Sequence, residues 1–271
     1  MTGASREALT AARERLDALT DSTSVDAAKL ADELAAVTAL LDREAGLRRV
    51  LTDPAQPGDA KAALVQRLLG GQVGGETADL VAGIVRSRWS QSRDLVDALE
   101  ELANLADLTA AQRSGTLDDV EDELFRFGRI VSSSTELRSA LTDRAARTSA
   151  KVELLRRLLG GRAKPTTERL VTRLVTAPRG RSLEAGLESL SKLAADRRNR
   201  MVAVVTTAVP LSDRQKQRLG AALAKLYGRQ MHLNIDVDPE LIGGIRVQVG
   251  DETINGALAD RLDDAARRMA S

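Results

Sequence analysis

Hydrophobic and polar positions alternate most clearly near the C-terminal end of the chain. In Met231–Asp238, Met231, Leu233, Ile235 and Val237 fall on one face and His232, Asn234, Asp236 and Asp238 on the other. That period of two predicts a half-buried strand. Ile245, Val247 and Val249 repeat it, and Gly250-Asp251 predicts a tight turn into a short strand ending near Ile254. An apolar run, Met201 to Pro210, opens the same region. Between the runs the period changes to that of a helix. Leu219, Ala222, Leu223, Leu226 and Tyr227 form one stripe, Ser212 with Gln215 has the spacing of a capping box, and Gly228 suits a left-handed stop. Leu258, Leu262, Ala266 and Met269 place a similar stripe on a closing helix. Residues 199–271 are therefore expected to form a small α+β domain, a sheet covered by two helices.

Upstream, the pattern is helical throughout. Helices are expected near 5–20, 24–43, 44–52, 59–70, 76–88 and 92–108, the last striped by Leu95, Leu99, Leu102 and Leu105 with Val96 beside them. Asp53-Pro54 and Gln56-Pro-Gly58 break the chain, because proline disfavours helix at the preceding residue. The same text then recurs. Leu47-Arg48, Leu51-Thr-Asp53, Lys61, Leu64 and Arg67-Leu-Leu-Gly-Gly71 return 90 residues later as Leu137-Arg138, Leu141-Thr-Asp143, Lys151, Leu154 and Arg157-Leu-Leu-Gly-Gly161. Of the 25 positions from 47 to 71, 14 are identical in the second copy, too many for chance. A period this long is a duplicated domain rather than a solenoid unit. The boundaries drawn are 1–103 and 104–198 for the two copies, with a helix near 92–113 closing the first and opening the second.

Composition narrows what these elements can be. Aromatic residues make up 1% of the chain, so the cores must be built from Leu, Val and Ala. Cysteine is absent, which excludes disulfides, thiolate metal sites and cysteine nucleophiles. No run of 18 apolar residues and no signal-peptide pattern is found, so any membrane association is expected through partners rather than by direct insertion. A net charge of +1 argues against nucleic acid as a partner. Its distribution is uneven: 12 Lys/Arg against 17 Asp/Glu over 1–103, and 18 against 13 over 104–198. The two copies, at −5 and +5, are expected to bind different surfaces.

Reactive constellations are weak. Gly70-Gly-Gln-Val-Gly-Gly75 followed by Glu76-Thr77 has the spacing of a phosphate loop, but Glu76 stands where a lysine must reach the phosphates. His232, the sole histidine, reads as a sheet residue rather than a catalytic base. Asp236, Asp238, Asp251 and Glu252 lack the spacing of a calcium loop. The acidic run Asp118 to Glu123 suits the start of a helix. Arg169, Arg173, Arg179 and Arg181 have no interleaved aromatics for stacking on a nucleic acid; they are a solvated face or meet an acidic partner. Trp89, the sole tryptophan, is a core plug or an interface anchor. No catalytic residue, cofactor site or metal site is assigned.

The C-terminal order of elements resembles the delta subunit of F-type ATP synthases, called oligomycin sensitivity-conferring protein in mitochondria. The resemblance rests on Thr207-Ala-Val-Pro-Leu211, Val237-Asp-Pro239, Leu241-Ile-Gly-Gly-Ile245, Val249-Gly-Asp251 and Ile254-Asn-Gly256 before Arg261-Leu262. Since the family's N-terminal domain is a six-helix bundle, the resemblance implies a mostly α chain with a small α+β domain: two tandem six-helix bundles, the first being the extra one. It further implies a non-catalytic stator subunit of the peripheral stalk, at the cytoplasmic face of the cell membrane. Its partners would be the N-terminal helices of the alpha subunits and the end of the b subunit. Candidate partner-binding residues are Leu80, Val81, Ile84, Trp89, Leu170, Val171, Arg173, Leu174, Leu223 and Leu226. The competing expectation is a free-standing helical scaffold that shares only the fold.

Overall fold

The computed structural model describes residues 3–21, 24–199, 201–227, 231–238, 245–249 and 252–255. The chain divides into two compact units, Met1–Arg197 and Arg198–Ser271. The first is helical among its described residues: α1 (Gly3–Asp21), α2 (Ala27–Arg43), α3 (Ala45–Thr52), α4 (Gly58–Leu69), α5 (Gly75–Val85), α6 (Ser92–Arg113), α7 (Leu117–Ser133), α8 (Thr135–Thr142), α9 (Thr148–Leu159) and α10 (Pro165–Thr176). The helix α11 (Leu183–Asn199) closes the series.

The duplication is visible in the structure. Adding 90 to the bounds of α2, α3 and α4 gives those of α7, α8 and α9. Polar contacts repeat with the helices. Thr77 donates to the Glu33 carboxylate in the first copy, and Thr167 donates to Glu123 Oε2 at 2.5 Å in the second. Asp53 Oδ1 accepts from the Ala55 amide at 2.9 Å, and Asp143 Oδ1 from the Ala145 amide at 2.8 Å. The glycine pairs after α4 and α9 stop both helices alike, with Gly71 at φ 76° and Gly161 at φ 68°. That left-handed geometry is open to glycine without a Cβ clash. Helix starts follow local chemistry too: Asp26 accepts the Ala28 and Lys29 amides ahead of α2, and Pro165 fills the first position of α10.

Two hydrophobic clusters fill this unit. One is built from α1 to α6, and the other from α7 to α11 with Leu108 and Ala111 of α6. Leu95, Leu99 and Leu102 of α6 lie in the first cluster, fully buried. The single helix α6 thus serves both, as the continuous stretch near 92–113 predicts. It runs five residues past the end expected from its leucine stripe, because Leu108 and Ala111 find a second core to enter. The helix expected at 76–88 ends at Val85, as the chain turns to bury Trp89.

In the second unit a four-stranded sheet has the order β2-β1-β3-β4, with β1 (Met201–Thr207), β2 (Met231–Val237), β3 (Ile245–Val249) and β4 (Glu252–Asn255). The pair β1–β2 is parallel and needs the crossover supplied by α12 (Asp213–Tyr227), whereas β1–β3 and β3–β4 are antiparallel. Ala203, Val205, Val247 and Val249 are buried beneath Leu223, with Leu219, Tyr227, Leu233 and Ile235 packed around them. The capping box forms: Ser212 N donates to Gln215 Oε1 at 2.9 Å and Gln215 N to Ser212 Oγ at 3.4 Å. Two expectations are corrected here. Ala222 and Leu226 face outward, since α12 buries only the narrow row Leu219, Leu223, Tyr227. Val237 is 46% exposed, at the end of its strand beyond the core. Gly228, Gly250-Asp251, Leu241–Gly244 and the expected closing helix lie outside the described residues.

Removing one fully buried leucine of α6 from each cluster tests its double duty. Leu102→Ala and Leu108→Ala should each cost about 2–5 kcal/mol in urea unfolding, and a loss below about 1 kcal/mol at either site contradicts it.

Candidate docking surfaces

A helix that enters two cores must bury its polar residues as well. On α6, Glu100, Asn104 and Asp107 are buried among apolar neighbours, where an uncompensated charge is very costly. Arginines of the second copy meet them, reaching Glu100 across the boundary at 103/104 and Asn104 and Asp107 within their own segment. Arg169 Nε donates to Asp107 Oδ1 at 2.7 Å, while Arg173 reaches Asp107 Oδ2 at 2.9 Å and Asn104 Oδ1 at 2.6 Å. Arg179 lies 3.2 Å from both Glu100 Oε2 and Asp42 Oδ2, and Arg181 shares the Glu100 oxygen. Further along, Arg197 Nη1 donates to Asp17 Oδ1 of α1 at 2.7 Å and its Nε to Gln112 Oε1 at 2.7 Å. The four arginines picked out as one basic group are therefore not a solvated face. Their acidic partner lies within the chain, and the −5 and +5 balances are in part complementary to each other.

Arg179 adopts φ 49°, the left-handed region, and its side chain is 5% exposed. A non-glycine residue is seldom found there unless its surroundings hold it. Here two carboxylates do. Beside this group, burial pushes the Asp97 carboxyl above its ordinary value and Asp94 adds to the shift, with Arg179, Arg181 and Arg93 pulling it back.

Most of the candidate partner-binding residues are taken up inside the protein. Leu80, Val81, Ile84, Leu170, Val171, Leu174 and Leu223 are all core residues. Trp89 is 6% exposed and its indole N–H donates to the Ile84 carbonyl at 3.2 Å, so it is a core plug. Arg173 belongs to the ion-pair group. Leu226 alone of the ten is exposed, at 47%. A helical stripe marks which side chains leave water, and here the chain's own helices accept them.

Different residues face solvent with apolar surface. Phe125 on α7 is 60% exposed, although the whole chain holds only four aromatic residues. It borders a groove of about 590 Å³ between α7 and α11, floored by Leu124, Gly128 and Leu187 and edged by Arg129, Glu184 and Glu188. Ile130 on α7, and Val50 and Leu68 in the first copy, are also exposed. From sequence, Phe125 is separable from its buried neighbour Phe127 only by its register against Val120, Leu124 and Val131.

Nothing in this geometry is a reactive centre. The glycine-rich stretch before α5 lies against the Glu33 and Glu76 carboxylates, a setting that repels phosphate. The acidic run opens α7 with Asp118 and Asp119 in its first turn, Asp119 pairing with Lys164 at 3.0 Å. Among the described residues no group of three or more His, Asp or Glu side chains is placed to hold a metal ion, and the His232 side chain lies outside them.

Comparison with known proteins gives the helical and α+β units a common identity. A profile of the ATP synthase delta (OSCP) subunit matches residues 104–269. The chain belongs to that family. The relative from Streptomyces coelicolor, ATP synthase subunit delta, is 81% identical over 100% of this chain and 99% of its own. That from Streptomyces griseus is 80% identical over the whole of both chains, and that from Acidothermus cellulolyticus 50%, again over the whole of both. The first copy of the repeat thus precedes the segment that defines the family and is shared by these relatives. Among solved structures, a chain of the Toxoplasma gondii mitochondrial ATP synthase hexamer is 25% identical over 62% of this chain and 95% of its own, with a TM-score of 0.30. Family membership replaces the free-standing scaffold and makes the chain a structural, non-catalytic subunit of the ATP synthase peripheral stalk.

Two predictions follow from the ion-pair group. Asp107→Ala strands two arginines and should cost about 3–5 kcal/mol, whereas Asp122→Ala at an exposed pair should cost less than about 1 kcal/mol; equal losses in chemical denaturation contradict the burial argument. For Asp97, a folded-state value above the unfolded one means stability is lost as pH rises through the window between them. Asp97→Asn should accordingly gain on the native chain as pH climbs out of the ordinary aspartate range, and melting curves in which the native chain gains instead contradict this.

Proposed function

We propose that the chain holds the catalytic head to the peripheral stalk by its surfaces, the helical unit gripping the head and the α+β unit meeting the stalk. Within the helical unit, residues 1–103 and 104–198 are read as two six-helix bundles that share α6, the helix closing one and opening the other. The boundary between them then falls inside a helix. In this reading the bundles move as one body, because neither can leave the other without exposing buried carboxylates and arginines. Such stiffness suits a stator: rotation drives ATP synthesis only if the head is kept from turning with the shaft.

The partner assigned to the helical unit is an amphipathic helix of the alpha subunits, and the b subunit is assigned to the α+β unit. The observation that carries the first assignment is Phe125, a bulky aromatic left in water beside an open groove of about 590 Å³. Helix-in-groove recognition needs such an anchor and a floor that is not already filled. Arg129 and the Glu184 and Glu188 carboxylates at its rim would set the register of the incoming helix. For the α+β unit, Leu226 is a large exposed apolar side chain on α12 and is proposed to face the b subunit. The sheet completed by its closing helix, as read from the sequence, is retained. None of the described helices is long and apolar enough to cross a membrane. Attachment at the cytoplasmic face is therefore assigned to partners.

The purified catalytic head supplies the test. Phe125→Ser should weaken head binding at least about tenfold, the loss of one buried aromatic side chain, with the melting midpoint of the isolated chain unchanged. Unaltered head affinity in this variant removes the groove from the account. Leu226→Asp should spare the head and weaken binding of the b subunit, and the reverse pattern contradicts the assignment of the two ends.

A further inference from the structure

The repeat shows one helix seam twice, once covered and once open. Shifted by 90 residues along α2 and α7, and by 88 along α6 and α11, the residues lining the groove beside Phe125 have counterparts in the first copy. Phe125 answers to Ala35, Gly128 to Thr38 and Glu188 to Glu100. Ala35 is half-buried, while Thr38 and Glu100 are buried. A side chain of the second copy closes that first seam. Arg179 lies 3.2 Å from Glu100 Oε2 of α6 and 3.2 Å from Asp42 Oδ2 of α2, with 5% of its side chain exposed.

The counterparts of those two carboxylates are Glu188 and Ser132, and both line the open groove. The place that a guanidinium fills on the first copy is therefore present on the second, with one carboxylate kept and a hydroxyl for the other. Glu188 is exposed and has no ion pair among the described residues. Its neighbour Glu184 is already paired with Arg138 at 3.5 Å. Arg129, where the first copy has Ala39, stands on the α7 side of the groove, so the two rims differ in sign.

We propose that the helix taken up by this groove carries an arginine or lysine on the flank facing α11, seated between Ser132 and the Glu188 carboxylate as Arg179 is seated between Asp42 and Glu100. The inference rests on the groove reading given above and adds to it the sign and place of the partner's charge. A cation there meets one carboxylate, and the Ser132 hydroxyl offers a second acceptor. An incoming helix that set only carbon or a carboxylate at this point would leave Glu188 out of water and unmatched, which is costly. Arg179 of a second molecule is not the source, since its own chain holds it.

The test measures the Kd of the full chain for the purified catalytic head at one fixed salt concentration. Glu188→Gln removes the charge at nearly constant size and should weaken binding at least about threefold, and Glu188→Lys at least about tenfold. Exchanging the rims, Glu188→Arg together with Arg129→Glu, leaves the net charge of the chain unchanged and should also weaken binding at least about tenfold. Both positions are exposed, so the melting midpoint should stay in place in every variant. Native or tighter affinity in Glu188→Lys, or an unchanged Kd in the exchanged variant, would overturn the proposal. If Phe125→Ser weakens binding while the Glu188 variants do not, the cation is removed from the account and the groove stays. Unaltered affinity in Phe125→Ser removes the groove and this inference with it.

Discussion

A single helix with carboxylates on its buried surface constrains the whole helical unit. α6 gives Leu95, Leu99 and Leu102 to one core and Leu108 and Ala111 to the other. A helix surrounded on all sides has no face on which to keep charge in water, so Glu100 and Asp107 must be matched inside the protein. Desolvating an ion costs several kcal/mol even after relaxation, and one carboxylate meeting two guanidinium groups offsets this only with good geometry. The arginines that supply it come from α10 and the turn after it, and Arg197 adds a bond from α11 to α1. Separating the two copies would leave Glu100, Asp42 and Asp17 without their arginines, or would expose two leucine-rich cores. Either course is steeply uphill.

This makes sense of a duplicated domain in a stator. A subunit proposed to hold head to stalk needs little give along its length. A second bundle joined by a flexible linker would add length and compliance together. Sharing a helix adds length without a hinge, and the ion pairs fix the angle that hydrophobic packing alone would leave less well determined. The outer surface is then free to diverge between copies: Phe125 and Ile130 are exposed in the second, Val50 and Leu68 in the first. Working surfaces of this kind need no reactive group, and the one phosphate-like loop is lined by carboxylates.

Much of the architecture is legible in the sequence because it depends on local spacing. The 90-residue repeat predicts helix bounds that agree between copies residue for residue in α2 to α4 and α7 to α9. The continuous helical stretch near 92–113 is read as closing one copy and opening the other, and Ser212-x-x-Gln215 forms the cap it foretells. Destinations are harder to read than elements. Leu170 and Leu174 look like spare apolar surface until the partner helices are in place, and Leu226 looks like core until α12 is seen to bury a row only three residues wide. The arginines mislead for a related reason. Arg179 and Asp42 are 137 positions apart, and no periodicity connects them. Trp89 falls into place only once its loop is closed against Ile84.

The claim that the two copies form one mechanical body is tested most directly by watching one copy while loosening the other. Trp89 is the sole tryptophan and sits in the first core, so its fluorescence reports that core alone. In urea unfolding, Val120→Ala, which opens a cavity in the second core, should move the fluorescence midpoint and the circular-dichroism midpoint together and by the same amount. A fluorescence transition that stays where it was while the helical signal splits into two steps would show that the copies unfold independently, and would contradict the account.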